Sequence, residues 1–238
     1  QRFAMVDGLT AFAKHLAAGL DVRLSTRVIG LQTTPEGVVL ALSNGGELAA
    51  RTVVLALPME QARELLAPLR TSHPDIAGAH ALMGLARTAS CLTVAALYPR
   101  SVPSPDFDVF LPPLSSSVSL IAHDSAKRRD PRWTALVIQA RTRWSRERLE
   151  APPELWSLAL LEEASRFVGS WVSRPAMKYE HRWRFARLDG APAFRGPVLL
   201  SLGAARLGLT GEGFIEGGGV QGAFLSGRAL AERFLETT

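Results

Sequence analysis

The spacing of apolar positions already divides the chain into elements. Leu9, Phe12, Ala13 and Leu16 recur at helical spacing, with Asp7 placed to cap the helix and Gly19 to end it. Three strand signals follow, Val22 to Leu24, Arg27 to Gln32 and Val38 to Leu42. Turns at Thr34-Pro35-Glu36-Gly37 and Asn44-Gly45-Gly46 bound them. The unbroken apolar run Val53 to Leu57 predicts a strand covered on both faces, and Pro58 opens a helix to about Leu66.

Farther on, Ser90 to Tyr98, Phe107 to Leu111, Val118 to Ala122 and Thr134 to Gln139 predict strands of a mixed, largely antiparallel sheet. Pro152 to Val168 predicts a covering helix. From Met177 to Phe185 the residues alternate, with Met177, Tyr179, His181, Trp183 and Phe185 on one side and Lys178, Glu180, Arg182 and Arg184 on the other. Pro192, Gly196 and Pro197 interrupt the pattern before a short buried-type strand, Val198 to Leu202.

The chain closes on a glycine-dense turn, Gly211 to Gly219, running into a helix. Val220, Phe224, Gly227, Ala231 and Phe234 predict its packing face. Glycine in mid-helix costs about 1 kcal/mol relative to alanine, so close packing on a neighbour is the expected reason for Gly227. The turn does not open a βαβ unit as G-x-G-x-x-G would, and it lacks the Lys-Ser/Thr of a P-loop. It does supply a helix start with free N–H groups, approached by backbone without side chains, which can hold an electron-rich edge or simply lead into a packed helix.

Composition narrows the function. With 47% hydrophobic and 21% charged residues over 238 positions, the chain can build one or two globular domains. A net charge of +5 raises the question of nucleic acid, but the only lysines are Lys14, Lys127 and Lys178, and acidic residues flank the arginine-rich stretches; a solvated basic surface is expected, not a nucleic-acid site. The single cysteine, Cys91, excludes an internal disulfide and a multi-cysteine metal site, and no metal ligand set is expected. Its apolar surroundings predict a buried, inert thiol and a reducing, cytoplasmic setting. No run approaches the roughly 18 apolar residues of a membrane span. The start at Gln1, with a helix almost at once, suggests an upstream part that is missing or is supplied by another chain.

Three runs in their shared order resemble the C-terminal signature of FAD-dependent amine-oxidase-type flavoproteins: Val198 to Gly203, Gly208 to Glu212, and Gly218 to Gly227. His181 to Phe185, the early helix, Asp21 to Leu24, Thr26 to Val28 and Val53 to Pro58 resemble the renalase-like branch. The resemblance implies an α/β, mixed α+β fold: an incomplete FAD-binding Rossmann-type domain, 1–66 and 193–238, around an inserted mixed-sheet substrate domain, 67–192. The family's first βαβ unit would lie upstream of Gln1, so a partner chain supplying it is one expectation.

On the same resemblance, Glu212 binds the ribityl or pyrophosphate part of FAD, Gly211, Gly218 and Gly219 make room, and the N–H groups of Val220 and Gln221 meet the flavin pyrimidine edge. Val28 meets adenine, and Leu57 and Pro58 close over the ADP moiety. Trp183 and His181 stand on the substrate side as the catalytic candidates. Apart from the resemblance, Trp183 is equally well core filler, and a histidine on a half-buried strand is more often a core or rim residue than a base. Gln221 stands where several relatives carry glutamate, and no aromatic pair marks an amine cage. The implied activity is hydride transfer from a small-molecule substrate, a dihydronicotinamide isomer or an amine, to flavin, with oxygen as acceptor. The alternatives are a subunit of a split flavoprotein and a non-catalytic ligand-binding domain.

Overall fold

A computed structural model describes residues 5–6, 8 and 10–236. It divides into two compact units, one of residues 1–22 and 90–186, the other of 23–89 and 187–238. The limits implied by the resemblance, after 66 and after 192, both fall within the second unit. The chain passes from one unit to the other in the connection at 22/23 and then inside two long strands, β5 (Thr88–Tyr98) and β9 (Met177–Leu188), where no loop composition marks the change.

The second unit begins with an antiparallel meander, β1 (Val28–Thr34), β2 (Gly37–Leu42) and β3 (Glu47–Ala50). Asn44 shapes its second turn, its side-chain oxygen accepting the Gly46 N–H at 3.0 Å while Gly45 takes φ 84°. Next come β4 (Thr52–Leu55), α2 (Met59–Leu66) behind Pro58, and α3 (Pro74–Met83) with proline in its first turn. The end of the chain returns as the hairpin β10 (Val198–Leu202) and β11 (Ala205–Leu209), then the helix Gly219–Glu236. β11 pairs in parallel with β4, giving the order β10-β11-β4 across some 150 residues of sequence, and Thr210 N–H continues the ladder onto Leu55 O at 3.1 Å. One core, including Leu31, Val53, Leu55, Met59, Leu66, Ile76, Leu207, Leu209 and Phe214, lies beneath these elements.

The first unit holds a five-stranded sheet in the order β6-β7-β8-β5-β9, with β6 (Val109–Phe110), β7 (Val118–His123) and β8 (Thr134–Ala140) joined antiparallel. α1 (Thr10–Leu16) and the short α4 (Thr142–Glu147) also belong here. α5 (Pro153–Val168) covers one face of the sheet, packing Trp156, Leu160, Leu161 and Ala164 on Leu92, Val94, Leu136 and Ile138. Tyr98 is fully buried in this core; its hydroxyl donates to Val172 O at 2.8 Å, and burial pushes its pKa up.

The structure corrects several expectations. Val22 to Leu24 form no strand; both apolar side chains are exposed on a connection that runs to β1. α1 forms over Thr10–Leu16 as its apolar spacing predicts, with none of its residues fully buried. Asp7 and Leu9, its expected cap and first apolar position, lie outside the described residues. β4 is not covered on both faces: Val53 and Leu55 are buried while Val54 is 46% exposed. β3, α3 and β11 escape the apolar pattern, because their alternation is diluted by Ala, Gly and Arg.

The last helix, α6 (Gly219–Glu236), starts where expected but packs a different face. Gly222, Ser226 and Leu230 are buried, whereas Val220 and Phe224 are exposed. Small residues at 222 and 226 let the helix approach the strand end, where the Ser226 hydroxyl bonds Thr210 Oγ1 at 2.7 Å and accepts the Gly211 N–H at 3.3 Å. Gly227 has no neighbour within 4 Å of an added Cβ, so close packing does not account for it. The close approach is at Gly208 of β11, where a Cβ would stand 2.7 Å from Leu230.

Candidate functional site

Because β4 and β11 are parallel, the loops after them leave the same edge of the sheet, the carboxyl end where open α/β sheets bind ligands. Leu57 and Pro58 form one loop, and Gly211 opens the other with φ 146°. The two meet: an added Cβ on Gly211 would stand 3.8 Å from Leu57 O. Gly213 then packs on α2, with Met59 Cε 2.5 Å from where its Cβ would be, which fixes the turn Glu212–Phe214 against the core.

Glu212 ties this loop together. One carboxylate oxygen accepts the Leu188 N–H at 2.6 Å and the other accepts the Gly219 N–H at 3.0 Å, so the end of β9 and the start of α6 share one anion. Gly217, Gly218 and Gly219 carry φ of 96°, 51° and 61°, which only glycine adopts without strain, and no atom lies within 4 Å of an added Cβ at any of them. Gly222 N–H bonds Gly218 O at 2.9 Å, closing the first helical turn. The N–H groups of Val220 and Gln221 find no acceptor among the described residues and point out of the helix at its positive end.

Residues 1–235 match the family model of flavin-containing amine oxidoreductases. The chain belongs to this family. Solved structures of the same fold include a proposed protoporphyrinogen oxidase from Exiguobacterium sp. 255-15, at 15% identity and TM-score 0.69, covering 99% of this chain and 52% of that one. A putrescine oxidase solved with putrescine bound is 17% identical with TM-score 0.63, over 96% of this chain and 53% of its own. Cyclohexylamine oxidase from Brevibacterium oxydans IH-35A is 20% identical with TM-score 0.63, over the same shares. The chain thus spans about half the length of these relatives.

Membership of the flavin-containing amine oxidoreductases carries FAD as the cofactor. The loop fits such a group: three open glycines leave backbone surface uncovered, and two unused helix N–H donors face outward beside them. Of the other expected cofactor residues, Val28 stands at the start of β1, packed on the unit's core. The catalytic candidates His181 and Trp183 lie in the other unit, exposed on β9, with ring centroids 4.1 Å apart. Trp183 is therefore not core filler, being 48% exposed. Sequence reasoning missed the supports of the loop, Leu188, Thr210 and Ser226; a serine in mid-helix was the one local signal. Among the described residues no cluster of His, Cys, Asp and Glu could hold a metal, and no helix is long and apolar enough to cross a membrane.

Proposed function

We propose that this chain is the C-terminal part of an FAD-dependent oxidoreductase of the renalase-like branch, with its cofactor region in residues 1–66 and 193–238 and an inserted substrate domain in 67–192. The observation that carries this reading is the glycine-lined start of α6, with two unaccepted N–H groups at the carboxyl end of a parallel strand pair. FAD, when bound, supplies two-electron oxidation, taking hydride from a dihydronicotinamide isomer or an amine and passing the electrons to oxygen. The chain's own part is to hold and tune it. Gly217 to Gly219 leave room for the ring, and Val220 and Gln221 N–H hold negative charge at its edge. Glu212 fixes that helix start, Leu57 and Pro58 close over the ADP portion, and Val28 meets the adenine. Trp183 and His181 provide the substrate side, and the single buried cysteine suits a reducing compartment such as the cytoplasm.

The open edge of β4 supports a second reading, a split flavoprotein. β4 pairs only with β11 among the described residues, and Val54 is exposed at its centre, so a strand from a partner chain has a place to add. Colour separates the two readings. A complete protein purified yellow, with FAD released on denaturation, supports the first. A chain that becomes yellow only with a second polypeptide supports the other, and a complete protein that takes up no FAD refutes both.

A further inference from the structure

β9 inverts the usual arrangement of a half-buried strand, in which charges face water and apolar side chains face the core. Between Met177 and Phe185 the charged side chains point toward α5 and the turn before it. Lys178 donates to Ser157 Oγ at 2.8 Å and pairs with Glu180, Arg182 donates to Ala151 O, and Arg184 pairs with Glu150. The opposite face shows Met177, Tyr179, His181 and Trp183 to solvent, with Tyr179 61% exposed. Because Leu92, Val94, Leu136 and Ile138 face α5, alternation puts the half-buried Gln139 of β8 on the other side, with its partner Thr93 of β5 buried beside it. From Met177 to Phe185 the open face carries no Lys, Arg or carboxylate side chain.

Drawing Lys178, Glu180 and Arg182 partly inward while leaving large aromatic groups in water is costly, so the aromatic face is built to be covered in the working protein. Its chemistry selects what covers it. The His181 and Trp183 rings and the Tyr179 ring offer flat surface, and Gln139 offers an uncharged hydrogen-bonding group. A cation there would gain attraction to the rings but would find no carboxylate, with Lys178, Arg182 and Arg184 beneath it against only Glu180 and Glu150.

We propose that the open face around Tyr179, His181 and Trp183 binds a flat, uncharged, largely apolar part of a small-molecule substrate and selects against protonated amines. The inference rests on the FAD-dependent reading and decides between its two substrate classes in favour of the neutral one. The test uses the complete, flavin-loaded protein and two probes of one skeleton, naphthalenemethanol and naphthylmethylammonium, titrated calorimetrically near neutral pH. The wild type should bind the alcohol about tenfold more tightly than the ammonium ion, Trp183→Phe should keep that order, and Trp183→Glu should reverse it. Equal affinities, a preference for the ammonium ion, no binding of either probe, or a wild-type order that survives in Trp183→Glu would each overturn the proposal. Flavin content, measured on the same samples, keeps the two levels apart: flavin-loaded protein without the preference defeats this proposal alone, and protein that never takes up FAD defeats the reading beneath it.

Discussion

Removing the carboxylate of Glu212 should loosen the loop even before any cofactor binds. Its two acceptors serve different neighbours: the bond to Leu188 N–H is partly buried, and the bond to Gly219 N–H caps an exposed helix start. A charge-assisted bond in partial burial contributes about 1.5–2 kcal/mol, and a cap about 1 kcal/mol, so Glu212→Ala should cost about 2–3 kcal/mol. For a protein of this size that lowers the unfolding midpoint by roughly 5–10 °C. Glu212→Gln keeps one carbonyl acceptor but turns an NH2 group toward the second N–H, and should lose about half as much. The assay is thermal unfolding of the flavin-free protein, with hydrogen exchange followed at the Leu188 and Gly219 amides, and flavin retention measured separately. If Glu212→Ala leaves the flavin-free midpoint and both amides unchanged while flavin retention falls, the bracing argument is wrong and Glu212 acts on FAD directly.

Two further predictions concern stability. Gly37→Ala should cost about 2–3 kcal/mol in urea unfolding, because its Cβ would stand 2.6 Å from the Ala50 carbonyl oxygen, which the sheet holds in place. Gly213→Ala should cost less than about 1 kcal/mol, since it meets only the flexible end of Met59; equal losses would contradict this distinction. His80 is buried on α3, and burial, then Arg63 and Arg70, lowers its pKa. The unfolded chain therefore takes up a proton near pH 6.5 that the folded chain refuses, so stability should fall as pH drops through that value. His80→Asn should flatten this slope in urea midpoints measured between about pH 7 and pH 5.5, and an unchanged slope would assign the acid sensitivity elsewhere.

Much of the fold and the site was legible locally. Pro58 and Pro152 mark helix starts, with α2 and α5 beginning one residue later, because a fixed φ and a missing N–H suit a helix entry, and the turns of the meander follow from Asn and Gly at set positions. The glycines at 217 to 219 could be read as open backbone leading into a helix start, and their positive φ values are ones only glycine takes freely.

Which face each element buries was another matter. Apolar spacing on α6 pointed to Val220 and Phe224, but the approach to β11 is set by the small residues Gly222 and Ser226 and by the Thr210 hydroxyl waiting for the serine. On β9 the alternation was plain in the sequence, yet its sense was inverted, because Ser157 of α5 and Ala151 O and Glu150 of the turn before it take up the charges. The sequence by itself determined the elements, the glycine-lined helix start and the uncharged stripe of β9, all consequences of local backbone and side-chain chemistry. The tertiary structure alone decided that β4 and β11, some 150 residues apart, lie in parallel, that Glu212 joins Leu188 to Gly219, and that the aromatic side of β9 faces outward. Each of these depends on partners distant in sequence, which no periodicity along the chain encodes.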